Sequence, residues 1–232
     1  MLAASRRPVA LTGAGVSAES GLSTFRGPGG LWNERRPEEI ATPEAFAADP
    51  ALVWSFYRWR RERVRACAPN AAHHALAAFE AAHEGFVLIT QNVDGYHGAA
   101  GSRAVIELHG NLMTDRCSEC FAERPADPER DGAEALPRCA CGGLERPAVV
   151  WFGEPVTRIE EAFAVAGEAD VFLVAGTSAQ VEPAASAARV AKRAGATVIE
   201  VNPEATPLTS IADGTFRGPA AALLPALLGD VL

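Results

Sequence analysis

The chain has 232 residues, 48% of them hydrophobic, which is enough for one sizeable core and a small appended lobe. Its formal net charge of −8 argues against nucleic acid or an anionic membrane surface as its main partner. The sequence has no apolar run near the roughly 20 residues of a transmembrane helix and no secretory signal, so we expect a cytoplasmic protein.

The most informative segment is the glycine-rich sequence GAGVSAESGLSTFRG at residues 13–27, which directly follows an apolar run. A strand that leads into G-x-G-x-x-A and then a helix places backbone N–H groups where a pyrophosphate can bind. Gly13 and Gly15 permit the tight turn and a close approach to the ligand, and Ala18 takes the position that packs the helix. A dehydrogenase would continue into a second strand that ends in an acidic residue, but residues 33–39 are too polar and too interrupted by proline for a buried strand. The segment therefore predicts a bound dinucleotide in a layout unlike that of dehydrogenases.

Apolar runs and helical patterns alternate along the rest of the chain. The apolar runs predict strands at residues 8–12, 86–90, 104–108, 170–175 and 197–202. The helical patterns lie at residues 50–67, 71–83, 159–166, 183–194 and 220–228. This alternation predicts an α/β fold, a Rossmann-like parallel sheet with helices on both faces.

Two stretches do not fit this sheet. Residues 25–67 form a long excursion with two or three helices, and residues 111–148 are polar, rich in Cys, Pro and Gly, and without helical periodicity. We expect these stretches to form a small lobe of a single domain. The large lobe then comprises residues 1–24, 68–110 and 149–232.

Four of the five cysteines cluster in the second stretch, as Cys117-x-x-Cys120 and Cys139-x-Cys141. Two close pairs of thiolates can hold a tetrahedral Zn²⁺ ion, and because the protein fills all four positions we expect a structural metal. The alternatives are four reduced thiols or a redox pair, but a redox motif needs one pair beside a sheet rather than two pairs in a polar insert. Cys67 stands apart and is expected to be an ordinary small apolar residue.

Polar or glycine-containing clusters follow the predicted strands, and ligands of parallel α/β sheets bind at the carboxyl ends of the strands. These clusters are the glycine loop, residues 91–94, His109-Gly110, residues 176–178 and Asn202. His109 could be a core histidine bonded to the backbone, but its place on the same edge as Asn92 and Asp94 favours a general base. The other histidines, expected as helix-surface, capping or structural residues, are His73, His74, His83 and His97.

Together these motifs resemble the sirtuins, NAD-dependent protein lysine deacylases. The resemblance covers roughly residues 8–230, and its motifs occur in order: the glycine loop, Thr90-Gln91-Asn92-Val93-Asp94-x-x-His97, His109-Gly110, the four cysteines, residues 146–154 and Gly176-Thr177-Ser178. It implies a Rossmann-like large domain and a smaller zinc-binding and helical domain, with NAD and an acyl-lysine protein or peptide meeting between them. It also implies that the acyl group is transferred to the ribose of NAD as nicotinamide leaves.

The resemblance implies roles for individual residues. His109 is the expected base toward the ribose, Asn92 and Asp94 are expected to orient the ribose and nicotinamide, and Phe25 and Arg26 are expected in a loop that closes over the cofactor. The other implied cofactor contacts are Gly13, Ala14, Gly15, Ser17, Ala18, Trp32, Gln91, Gly176, Thr177, Ser178, Asn202 and Ala220. The implied peptide contacts, made by strand addition, are Val150, Phe152, Gly153 and Glu154, although Glu154 could equally be a solvated loop acid.

The predicted helix at residues 50–67 carries a clue to the acyl group. Arg60 interrupts its apolar face, and Tyr57 lies on the same side. A guanidinium beside a phenol can bind a carboxylate, and a Tyr-x-x-Arg pair does so in the sirtuin subgroup that removes succinyl, malonyl and glutaryl groups. The further matches to that subgroup are Ala41, Gly30-Leu31-Trp32 and Trp151. The alternative is that Arg60 extends into solvent, as we expect for Arg61 and the other arginines of this helix. The sequence thus predicts desuccinylation and demalonylation beside deacetylation.

Two other functions remain open. One is an NAD-dependent ADP-ribosyltransferase, which also releases nicotinamide, and the other is a non-catalytic module that binds NAD or acyl-lysine. The presence of His109, Asn92 and Asp94 argues against the module but not against transferase activity. Tyr96 and Glu182 depart from the commonest sirtuin pattern, which bears on peptide preference. We expect a monomer.

Overall fold

The computed structural model describes residues 5–25, 30–31 and 36–229. Two of the expected cofactor contacts, Arg26 and Trp32, lie outside these residues. None of the helices in the described part of the chain is both long and apolar enough to cross a membrane.

The secondary structure alternates between strands and helices. In chain order the strands are β1 (Pro8–Thr12), β2 (Val87–Thr90), β3 (Val105–Glu107), β4 (Gly110–Cys117), β5 (Glu123–Pro125), β6 (Glu145–Val149), β7 (Val171–Ala175), β8 (Thr197–Val201) and β9 (Gly214–Phe216). The α-helices are α1 (Pro37–Ile40), α2 (Pro43–Ala48), α3 (Pro50–Arg65), α4 (Ala71–Ala82), α5 (Tyr96–Ala99), α6 (Pro128–Asp131), α7 (Ile159–Glu168), α8 (Ser186–Arg193) and α9 (Ala220–Gly229). A 3₁₀ helix, Ala14–Ser20, follows β1.

The main sheet is parallel, with the strand order β3-β2-β1-β7-β8-β9. The chain builds outward from β1 through β2 and β3, then returns to the other side of β1 with β7. Parallel α/β sheets bind ligands at such a change of direction. The five strands that apolar runs predict are all present, within one residue of their expected limits. The edge strand β9 gives no such run because its Gly-Thr-Phe sequence is short and partly exposed.

Helices cover both faces of this sheet. Leu11 and Phe172 pack with α7 and α8 on one face, while Ala10 and Leu173 pack with α4 and α9 on the other. All five residues of β1 and of β7 are buried, which explains why these strands read as continuous apolar runs. Burial of each large apolar side chain contributes roughly 1.5–3 kcal/mol to stability. The predicted α/β fold with helices on both faces is confirmed.

A second, antiparallel sheet has the strand order β5-β4-β6. β4 has eight residues but carries several polar side chains, and β5 has only three residues, so the sequence shows only an irregular segment there. Trp54 and Leu112 lie in a buried cluster that joins α2 and α3 to β4 and β6. Arg61 of α3, expected in solvent, is instead completely buried and bonds Asp115 of β4 at 2.6 Å and Asp131 of α6 at 2.7 Å. The helical excursion and the cysteine-rich segment therefore pack together.

Candidate active site

A cavity of about 800 Å³ lies where the loops at the carboxyl edge of the main sheet meet α3 and the segment after β6. Most of the expected site residues line it, namely Gly13, Ala14, Gly15, Ala18, Phe25, Ala41, Tyr57, Arg60, Gln91, Asn92, His109, Val150, Phe152, Gly153, Glu154, Gly176, Thr177, Ser178, Asn202 and Ala220. Ser17 and Asp94 line a neighbouring void of about 10 Å³, which has room for about one water molecule. The sheet edge thus brings together residues that are far apart in the sequence.

The glycine loop and the loop after β7 pack backbone against backbone. The Gly15 N–H donates to Gly176 O at 2.8 Å, and a Cβ on Gly15 would lie only 2.7 Å from that oxygen. Gly176 has a φ of +59°, and a Cβ there would overlap Val16 N. Side chains are therefore excluded from this junction, and bare backbone forms the adjoining wall of the cavity. The glycines that were expected to admit a ligand also bring the two loops together.

Ser17, Asn92 and Asp94 form a buried hydrogen-bonded cluster beside the small void. Ser17 Oγ donates to Asp94 Oδ2 at 2.7 Å, and Asn92 Nδ2 donates to Ser17 Oγ at 3.2 Å. The Ser17 hydroxyl is thus turned away from the large cavity, where a cofactor contact was expected. Its hydrogen bonds instead fix the orientation of the Asn92 and Asp94 side chains.

His73 also belongs to this cluster: of the two expected roles, helix-surface or capping, it takes the capping role, but inside the protein rather than on the helix surface. It is completely buried, with Nε2 3.3 Å from Ser17 Oγ. The Asn70 N–H donates to His73 Nδ1 at 3.1 Å, so the ring proton lies on Nε2. Burial lowers the pKa of His73 to about 4. The Asn-x-x-His spacing predicts only the capping half of this arrangement, because the contact with Ser17 depends on the fold.

His109 lines the large cavity in a defined tautomer. Its Nδ1 lies 3.0 Å from Gln91 O, and because a carbonyl oxygen can only accept, Nδ1 carries the proton and Nε2 keeps a free lone pair. Burial lowers the pKa of His109 below its ordinary value, and the hydrogen bond to Gln91 opposes this effect. The ring is therefore neutral at neutral pH and can accept a proton at Nε2.

Arg60 lies in the wall of both cavities and is only 6% exposed, so its side chain does not extend into solvent. Its Nη2 donates to Ser23 O at 3.2 Å, and its guanidinium carbon lies 5.4 Å from the centre of the Phe25 ring. Its Nε has no hydrogen-bond partner, and within the described part of the chain no carboxylate lies within ion-pair distance of it, although the charge of the nearby Asp94 partly offsets the effect of burial on its pKa. Burial lowers the pKa of Arg60. This guanidinium can therefore bind an anionic group in the cavity.

Tyr57 lies one helical turn before Arg60 and lines the same large cavity. Its Oη accepts a hydrogen bond from Trp151 Nε1 at 2.8 Å. Burial raises the pKa of the Tyr57 phenol, which therefore stays protonated at neutral pH. The phenol proton has no acceptor among the residues that the structure describes. Tyr57 and Arg60 can thus both donate hydrogen bonds into the cavity.

An internal ion pair holds the segment after β6. Arg146 Nη1 and Nη2 bond Glu154 Oε1 and Oε2 at 2.5 and 2.9 Å, and the Trp151 N–H donates to Glu154 Oε2 at 2.7 Å. The Glu154 carboxylate is therefore neither a solvated loop acid nor free to bind a substrate through these oxygens. It positions the residues between itself and β6.

Backbone hydrogen bonds already engage part of the segment that was expected to bind a peptide strand. The Phe152 N–H donates to Ala41 O at 2.9 Å, and the Glu154 N–H donates to Trp151 O at 3.0 Å. Between them, the Gly153 N–H has no partner among the described residues, and Gly153 has a φ of +89°. Phe152 remains 43% exposed at the rim. Strand addition would therefore use Gly153 and the carbonyl groups rather than every amide.

The four clustered cysteines form a site that fits zinc. The Sγ atoms of Cys117, Cys120, Cys139 and Cys141 all lie within 4.8 Å of one another. Two of these separations are 3.5 and 3.6 Å, close to the roughly 3.8 Å expected between thiolates at 2.3 Å from a tetrahedral ion. Four mutually close sulfurs suit one metal better than a redox pair. None of the four lines the large cavity, so the site is structural.

Comparison with known proteins agrees with this architecture. A family model described as "Sir2 family" matches residues 13–183. The chain is 51% identical to NAD-dependent protein deacylase 2 of Pyrobaculum aerophilum, over 100% of this chain and 93% of that protein. It is similar to the structure of a Sir2 homologue–NAD complex, with a TM-score of 0.92, 50% identity and coverage of 99% and 91% of the two chains. It is also similar to Sir2Af2 bound to a myristoylated histone peptide, with a TM-score of 0.81, 35% identity and coverage of 99% and 92%.

Proposed function

Because the chain belongs to the Sir2 family and is an NAD-dependent protein deacylase, we propose that it removes succinyl and malonyl groups from protein lysines as well as acetyl groups. One observation carries the proposal: the buried Arg60 guanidinium lines the cavity without an ionic partner among the described residues. The terminal carboxylate of a succinyl or malonyl group would supply that partner. The neighbouring Tyr57 phenol would donate a second hydrogen bond to the same carboxylate.

The large cavity also suits NAD. The bare backbone at Gly13, Gly15 and Gly176 would face the phosphates, and Asn202 and Ala220 would hold the adenosine end. When bound, NAD supplies the ribose that receives the acyl oxygen as nicotinamide leaves.

The chain's own residues then handle protons and orientation. With NAD bound, His109 Nε2 would accept a proton from a ribose hydroxyl, because Nδ1 already donates to Gln91 O. Asn92 and Asp94, held by Ser17, orient the groups at the nicotinamide end. Phe25 borders both cavities and excludes water from the space between them.

An acetyl group fits the same cavity but leaves Arg60 without a carboxylate. A buried polar group that a substrate fails to satisfy favours the substrate that does satisfy it. We therefore expect both acyl classes to react, with the acidic class favoured at the level of kcat/KM.

Replacement of Arg60 by methionine, which is unbranched and uncharged, tests this proposal. Hydrogen bonds to charged groups contribute about 1.5–3 kcal/mol, so kcat/KM for a succinyl-lysine peptide should fall roughly tenfold to a hundredfold. For the matched acetyl-lysine peptide, kcat/KM should change by less than about threefold. Arg63→Met, on the exposed side of α3, is the control. Equal losses with both peptides would refute the binding of an acyl carboxylate.

Mass spectrometry of the same reactions identifies the chemistry. A deacylase gives nicotinamide, O-acyl-ADP-ribose and free lysine in equal amounts, and only when peptide is present. ADP-ribosylated protein without loss of the acyl group would instead indicate a transferase, and the absence of both products would indicate a binding module.

We further propose that the protein is a cytoplasmic monomer that requires neither nucleic acid nor a membrane, with the two lobes delimited as the sequence suggests. The net charge of −8 and the clustered free thiols support this proposal. Light scattering should give a mass near 24.3 kDa, with and without substrates. A mass near twice that value would contradict the monomer.

A further inference from the structure

We propose that Trp151 is a positioning residue that sets the acyl preference of the enzyme by aiming the Tyr57 hydroxyl into the cavity. The inference rests on the proposed binding of an acyl carboxylate by Tyr57 and Arg60. Its starting point is the 2.8 Å hydrogen bond from Trp151 Nε1 to Tyr57 Oη.

The direction of this hydrogen bond follows from its chemistry. An indole N–H can only donate, so it occupies an acceptor position of the Tyr57 oxygen and repels the phenol proton. The phenol proton must therefore point elsewhere, and none of the described residues accepts it. Because Tyr57 lines the cavity beside Arg60, the open direction is toward the end of the acyl chain. A carboxylate there meets a hydroxyl that is already oriented to donate.

The indole is itself held from outside the cavity. The Arg146 guanidinium carbon lies 3.2 Å from the ring centre, and the Phe46 ring lies 5.3 Å away, centre to centre. The Trp151 backbone N–H is fixed by Glu154, which also bonds Arg146. The orientation of the Tyr57 hydroxyl thus depends on a small set of contacts that reaches from β6 to α3. An acetyl group, which has no terminal carboxylate, makes no use of this orientation.

Binding of fluorescent succinyl-lysine and acetyl-lysine peptides, measured by anisotropy without NAD, tests the proposal directly. The variants are Trp151→Phe, which removes only the N–H donor, Tyr57→Phe, the double variant, and Arg60→Met. The control is Trp59→Phe, because Trp59 is 41% exposed and does not line the cavity. Trp151→Phe should weaken the succinyl peptide about threefold to tenfold, the range expected for one oriented hydrogen bond. Its effect on the acetyl peptide should be under about twofold.

If Trp151 acts through the Tyr57 hydroxyl, the double variant should bind the succinyl peptide no more weakly than Tyr57→Phe alone. Losses that add, or equal losses for the two peptides, would overturn the positioning role. Equal losses for the two peptides in Arg60→Met would instead overturn the carboxylate proposal, so the two failures are distinguishable.

Nuclear magnetic resonance of the unmodified protein covers the case in which Trp151→Phe fails to fold. The chain has four tryptophans, hence four indole N–H signals, and Tyr57→Phe identifies the Trp151 signal by shifting it. That signal should move when the succinyl peptide is added and stay in place with the acetyl peptide. The indole of Trp54, which donates to Glu145 O at 2.8 Å, is the internal reference. An unmoved Trp151 signal would contradict the proposal.

Discussion

His73 and His97 are buried and His109 is partly buried at the carboxyl edge of the main sheet, and desolvation lowers the pKa of each. For His97 the pKa falls to about 3, because desolvation penalises the charged ring and its Nε2 contacts only the Thr12 hydroxyl. Only His109 presents a free ring nitrogen to the large cavity. All three histidines are therefore neutral at neutral pH, but their hydrogen-bond partners differ. These partners, rather than their charge, distinguish the roles of the three rings.

The pH profile of the reaction should reflect this lowering. A general base must be neutral, and a pKa below about 6.5 keeps His109 neutral to lower pH than a solvated histidine. The acid limb of kcat/KM for the acyl peptide should therefore have its midpoint below pH 6.5, and His109→Ala should lower kcat/KM by about a hundredfold or more. His83→Ala, at the residue that follows α4 and does not line the cavity, should leave the profile unchanged. A midpoint above pH 6.5 would argue against His109 as the base.

Residue types and their order were sufficient to predict most of the cavity lining, because each polar cluster follows a recognisable strand. Burial of charged residues was less predictable. Arg60 and Arg61 look alike in an arginine-rich helix, yet one borders the cavity and the other bonds two aspartates inside the protein. The difference depends on which elements pack against α3. The hydrophobic periodicity of a single sequence does not reveal those contacts.

At the level of elements, α3 joins the proposed acyl end of the cavity to the second sheet. Tyr57 and Arg60 face the cavity, while Arg61 donates to Leu112 O, Asp115 and Asp131 from the next position along the helix. Asp49 caps the helix, accepting from the Leu52 N–H at 2.9 Å. The position of Tyr57 and Arg60, the proposed acyl-binding residues, thus depends on a buried ionic contact that lies outside the site.

Arg61→Met should be strongly destabilising. It leaves the buried Asp115 carboxylate without its closest cation, and loss of one partner of a buried pair costs about 3–5 kcal/mol. Urea unfolding followed by circular dichroism should show a loss of that size in the free energy of unfolding. Arg63→Met, which removes an exposed charge from the same helix, should change it by less than about 0.5 kcal/mol. Similar values for the two variants would show that the buried contact contributes little.

Five of the six strands of the main sheet were predictable to within a residue, because strands buried on both faces are continuous apolar runs, whereas the short edge strand β9 was not. The second sheet was not predictable in this way. Its strands carry polar side chains, and their register shifts between Asn111 and Asp115. In this region the clustered cysteines replace part of a hydrophobic core. In this sheet the spacing of the cysteines predicts the metal site, but hydrophobic periodicity does not predict the strands.

On the scale of the whole molecule, the cysteine cluster and the cavity are separate yet mechanically connected. The cysteines lie at one end of the second sheet, the sheet packs against α3, and α3 carries Tyr57 and Arg60. A metal bound by the four thiolates would therefore support the part of the cavity lined by Tyr57 and Arg60 without lying in the cavity itself.

Removal of the metal tests whether the structure of the cavity depends on the cysteine cluster. A strong chelator should release about one zinc ion per chain, and hydrogen exchange should then lose protection in β4, β6 and α3 while β1 and β7 stay protected. Deacylation should be lost in parallel. Cys67→Ser, which changes the cysteine outside the cluster, should show none of these effects before chelation. Release of the metal with unchanged protection would contradict a structural role.

The hydrogen bond from the Phe152 N–H to Ala41 O has a consequence for how this enzyme could diversify. The bond uses only main-chain atoms, so it does not itself depend on which side chain stands at position 41. Ala41 borders the cavity, so a larger residue there would shorten the space beside Tyr57 and Arg60, away from the loops that are proposed to hold NAD. Position 41 is therefore a natural site for directed evolution of acyl length, independent of the chemistry that all acyl groups share.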